Sequence, residues 1–89
     1  MIKNVTILGA RESGFGAAML ASKKGYNVFV SDINQIDDNI KLLFEENSIE
    51  YEENKHSIDK IQSSDLIIKS PGIPNSADII IKSNPWKFL

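Results

Sequence analysis

The residues best suited to chemistry stand together in one stretch, Gly9-Ala10-Arg11-Glu12-Ser13-Gly14-Phe15-Gly16. A short β-branched run precedes it and a helical pattern follows. Its backbone amides and the positive end of the helix therefore face outward beyond the strand, which is an arrangement that attracts an anion. A phosphate group is the natural guest. In the dinucleotide fingerprint G-x-G-x-x-G the middle glycine lets a pyrophosphate approach the backbone, and here that position holds Arg11. Ordinary NAD binding is thereby disfavoured. Arg11 either pairs with phosphate or points into water. Ser13 either caps the helix or gives its hydroxyl to a phosphate, and Gly14 permits tight packing of helix on strand. A plain strand-to-helix turn remains open on the loop alone.

Asp32 lies 23 residues beyond Gly9, at the end of a second strand-like run. An acid there accepts hydrogen bonds from a ribose, or serves as the acidic start of the next helix. Ser70-Pro71-Gly72 closes a later strand, where its backbone forms the other wall of a crevice or a plain turn. His56 and the acids Glu45, Glu46, Glu50, Glu52 and Glu53 read as solvated positions without function.

These residues need elements to hold them. Asn4 to Leu8 and Asn27 to Ser31 read as buried parallel strands, and Asp65 to Lys69 as another. Ile49 and Tyr51 alternate with Glu50 and Glu52, the pattern of a thin edge strand. Ser13 to Lys24 reads as a helix stopped by Gly25. Ile36, Ile40, Leu43 and Phe44 form a second helical stripe, with Asn34 as its N-cap and Asn47 as its stop. Ser57 to Ile61 offers one or two helical turns. Ala77 to Ser83, capped by Ser76, reads as a helix or, through Ile79 to Ile81, as a strand. Strand and helix alternate through short connections, which demands right-handed crossovers and a parallel sheet between helical layers. The fold expected is α/β and Rossmann-like, a three-layer sandwich of strand order 3-2-1-4 with room for a fifth strand. Its crevice lies at the carboxyl ends of the first and fourth strands.

With 89 residues the chain holds one domain, residues 1–89. Cysteine is absent and histidine occurs once, which argues against a thiolate or zinc site. A net charge of -2 has the wrong sign for wrapping nucleic acid, so no nucleic-acid partner is expected. The N-terminal MIKNVTILGA is too short in apolar residues for a signal sequence or a membrane span. The expected location is cytoplasmic, with no membrane partner.

Three segments then coincide with a known pattern: Ile7 to Ala18, Lys23 to Asp32 and Ile68-Lys69-Ser70-Pro71-Gly72-Ile73-Pro74. Together they closely resemble the N-terminal domain of the D-glutamate-adding Mur ligases, in the forms found in Bacteroidetes, over nearly the whole chain. The resemblance implies a domain that holds the UDP part of UDP-N-acetylmuramoyl-L-alanine. In such ligases a central domain binds ATP and Mg2+ and a C-terminal domain helps bind D-glutamate; neither is expected within these residues. Carried over by position, Arg11, Glu12, Ser13 and Gly14 lie on the pyrophosphate side. Asp32, Ile33 and Asn34 line uridine and ribose, and Ser70, Pro71 and Gly72 close the pocket. Many members carry a basic or hydroxyl residue where Ile33 and Asn34 stand.

No G-x-x-x-x-G-K-[ST] phosphate loop occurs among the five glycines. The resemblance therefore implies a substrate-binding part of an ATP-dependent ligase of peptidoglycan synthesis, inactive by itself, with no catalytic and no metal-binding residue of its own. The competing readings are an NAD- or FAD-binding piece of an oxidoreductase, a nucleotide-sensing module without catalysis, and a structural domain with a vestigial loop.

Overall fold

The structure, a computed structural model, describes residues 2–69. The elements in chain order are β1 (Asn4–Leu8), α1 (Glu12–Lys23), β2 (Asn27–Ser31), α2 (Asp38–Glu46), β3 (Glu50–Glu52), α3 (Ile58–Gln62) and β4 (Leu66–Lys69). All pairings are parallel and the sheet order is β3-β2-β1-β4, as the alternation of elements predicts. Ser70, Pro71 and Gly72, the segment Ala77 to Ser83 and any fifth strand lie outside the described residues.

The two central strands are apolar on both sides because both sides are covered. Val5, Ile7, Val28 and Val30 face α1 and α2 and join Ala18, Ala21, Ile36, Phe44 and Ile49 in the larger core. Leu8, Phe29 and Ile67 face α3 and meet Ile61 there. Helix α1 turns its smallest residues inward: Gly14, Ala18 and Ala21 at i, i+4 and i+7 bring its backbone close to the sheet. The ring of Phe44 bridges Phe15 at 5.9 Å and Tyr51 at 6.0 Å between centroids, tying both helices to the edge strand. Gly25 ends α1 with φ +93°, its amide bonding the Ser22 carbonyl while the Tyr26 amide reaches that of Ala21.

Two helix starts differ from expectation. Helix α1 begins at Glu12 with Arg11 as its N-cap residue, so Ser13 does not cap it. The first turn closes early, through Phe15 N–H to the Arg11 carbonyl at 2.7 Å, because Gly14 must already lie within the helix where it meets β1. Helix α2 is capped by Asp37, whose side chain accepts from the Asn39 amide, and not by Asn34. Asn34 is held in the preceding loop by its own bonds, and Ile36, although 2% exposed, stands before the helix with its amide bound to Glu53.

Parallel register puts Leu8, Ser31, Glu52 and Lys69 at one end of the sheet. The loops that follow β1, β2 and β3 therefore share that end.

Candidate nucleotide-binding site

The first loop is shaped by a close approach of two glycines. A Cβ built on Gly14 would lie 1.8 Å from the Gly9 carbonyl oxygen and 3.5 Å from Ile7 Cγ2, so residue 14 has to be glycine. Gly9 adopts φ +98° and its amide bonds the Ser31 carbonyl at 2.8 Å, which fixes the loop to the end of β2. Gly16, by contrast, has open space where a Cβ would stand. The opening amides of α1 lack intrahelical acceptors, as at any helix start, and the side chains of Arg11, Glu12 and Ser13 are exposed around them. Such a surface offers donors to an anion.

Asp32 joins the first loop to the second. One carboxylate oxygen accepts from the Ala10 amide and the other from the Asn34 amide, each at 2.9 Å, and the residue is 8% exposed. It does not start α2, which begins beyond Asp37. Ile33 stands 57% exposed at the tip of this loop and Asn34 is exposed beside it. Arg11 to Gly14 and Asp32 to Asn34 are thus brought to one end of the sheet and braced against each other.

A third group was not expected from the sequence. His56, Glu52 and Glu53 are half-buried and hydrogen-bonded, not solvated. Glu52 accepts from Ser31 Oγ at 2.7 Å and from the Ser57 amide and hydroxyl at 2.7 and 2.6 Å. Burial, the largest single influence on Glu52, raises its pKa, but the bonds from Ser57 and Ser31, with the charge of Lys55, outweigh it and hold the carboxyl below its ordinary range. His56 Nδ1 lies 2.6 Å from Ser31 Oγ. Burial lowers the His56 pKa, against the opposing pull of Glu52 and Asp32. Glu53 accepts from the Ile36 amide and Lys41, which lowers its own pKa. The signal that would have found this group is Ser31 itself: a hydroxyl ending a buried strand needs partners.

A model of the MurD N-terminal domain matches residues 7–79. The chain belongs to that family. MurD N-terminal relatives include UDP-N-acetylmuramoylalanine--D-glutamate ligases of Bacteroides fragilis, 47% identical over 81 residues, and of Bacteroides thetaiotaomicron, 49% identical over 81 residues. Each match covers 91% of this chain and 18% of the relative, so the chain spans under a fifth of the length of those MurD proteins. Among solved structures, a UDP-N-acetylmuramate:L-alanyl-gamma-D-glutamyl-meso-diaminopimelate ligase from Neisseria meningitides superposes with a TM-score of 0.75 at 17% identity, covering 91% of this chain and 25% of that one. That likeness concerns the fold. Among the described residues no group of three or more His, Cys, Asp or Glu is placed to hold a metal ion. No helix among them is long and apolar enough to cross a membrane.

Proposed function

We propose that this chain holds the UDP part of UDP-N-acetylmuramoyl-L-alanine within a cytoplasmic ligase that adds D-glutamate during peptidoglycan synthesis. The observation that carries the reading is the junction of Gly9 and Gly14, which leaves the start of α1 open to an anion while Asp32 braces it to the neighbouring loop. In this reading the amides of Glu12 and Ser13 and the Ser13 hydroxyl meet the diphosphate, with Arg11 beside them as the nearest cation. Asp32, Ile33 and Asn34 form the uridine side, and Ser70, Pro71 and Gly72 the opposite wall. Family membership supports the assignment, since the relatives' names specify a UDP-linked muramoyl substrate. ATP and Mg2+ act in other domains of the parent enzyme, and the chain alone turns over no ATP.

Calorimetric titration with UDP and with NAD tests the reading. UDP binds the tighter of the two, because a pyrophosphate that needs a glycine at position 11 meets arginine instead. Affinity is modest, since other domains supply part of the contact surface. Tighter binding of NAD sinks the proposal in favour of a dinucleotide fragment.

A further inference from the structure

Ser31 is fully buried, and its hydroxyl lies within hydrogen-bond distance of Glu52 Oε2 at 2.7 Å, His56 Nδ1 at 2.6 Å and the Lys55 carbonyl at 3.2 Å. A hydroxyl has one proton to give. The ionised carboxylate and the carbonyl can only accept, so they compete for it, and the short charge-assisted bond to Glu52 prevails. His56 Nδ1 must then be the donor to Ser31 and carry the ring proton. The neutral ring is left with its lone pair on Nε2.

No described residue hydrogen-bonds that Nε2, and the ring is half-buried, not enclosed. The loop that carries it leaves the same end of the sheet as the candidate site. It is stitched to the second loop by Asn54 N–H to the Asn34 carbonyl at 3.2 Å and Lys55 N–H to the Asp32 carbonyl at 3.3 Å. Asp32, the acceptor that the sequence suggests for a ribose, is 8% exposed and already takes one amide on each oxygen. A ribose carries two hydroxyl donors, and a second acceptor beside the nearly buried Asp32 at this end of the sheet can serve one of them. Phosphate oxygens, being acceptors themselves, do not satisfy a neutral imidazole lone pair; a sugar hydroxyl does.

We infer that His56 is a further ligand-contacting residue, in which Nε2 of the Nδ1–H tautomer accepts a hydrogen bond from a ribose hydroxyl of the bound nucleotide. The inference rests on the nucleotide-binding reading above.

Because the chain has one histidine, selective 15N-histidine labelling reports on it alone. In the free chain at pH 8 the spectrum shows a protonated Nδ1 and an unprotonated Nε2; the opposite tautomer overturns the inference. Saturation with UDP moves the Nε2 resonance, while inorganic pyrophosphate and 2′,3′-dideoxy-UDP do not. An Nε2 resonance unmoved by saturating UDP, or moved equally by the dideoxy analogue, overturns the contact and leaves the nucleotide reading standing. Absence of UDP binding overturns both. His56→Asn keeps an N–H donor for Ser31 and lacks an Nε2 equivalent. It melts as the parent does and binds UDP about three- to tenfold more weakly; UDP affinity equal to the parent's overturns the assignment.

Discussion

At the β1–α1 junction a Cβ on residue 14 would collide with the Gly9 carbonyl 1.8 Å away, whereas at the ends of β2 and β3 the loops are held by side chains that reach across three elements. The first region is defined by what is absent, a side chain. The second is defined by carboxylates, hydroxyls and an imidazole that satisfy one another. Steric definition has no pH dependence and no half-measures. Definition by hydrogen bonds titrates, and each member can be removed singly.

The largest effect is expected where the steric region is broken. Gly14→Val forces α1 away from the sheet, costing about 3 kcal/mol of stability, and it carries the amides of Glu12 and Ser13 out of place. Thermal unfolding and UDP titration of this variant should both change sharply. A variant that melts and binds like the parent would mean that the loop does not shape the site.

Of these two regions only the first was legible in the sequence, for a physical reason. A glycine loop between a β-branched run and a helix is a local pattern, and its consequences lie within a few residues of it. The alternating elements likewise dictated the sheet order, and the stripe of Ile40 and Phe44 located α2. Its start lies beyond Asn34 because Asn34 and Asp37 both carry cap-forming side chains, and the choice falls to Glu53, which engages the Ile36 amide from 17 residues away and holds it ahead of the helix. His56 and Glu52 read as solvated for the same reason. Their partner Ser31 lies 25 and 21 residues away, beyond any local pattern.

An intermediate effect should appear when the hydrogen-bonded region is titrated. The folded pKa of His56 lies below its ordinary value of 6.5, so the folded chain resists a proton that the unfolded chain accepts. Stability therefore begins to fall as pH drops through 6.5, and this contribution levels off below the folded pKa. Glu52 has a folded pKa below its ordinary 4.5; its contribution is complete above that value and is lost as pH falls through the lowered one. Melting temperature against pH should show both limbs, with the lower one shallower in Glu52→Gln. Superimposable profiles for parent and variant would remove Glu52 from the account.

The smallest effect separates packing from ligand contact within the first region. Ser13 is exposed and its side chain makes no capping bond, so Ser13→Ala changes stability by less than about 0.5 kcal/mol. UDP affinity falls a few-fold, about the net contribution of one ordinary hydrogen bond. A clear drop in melting temperature would show that Ser13 supports the helix after all.

The carboxylate of Asp32 has a consequence for the entropy of binding. With the Ala10 and Asn34 amides held by one buried side chain, the two loops are tied together in the folded chain. Ordering them is accomplished when the chain folds, not when a ligand arrives. A ligand meeting this surface spends little of its contact energy on arranging the backbone.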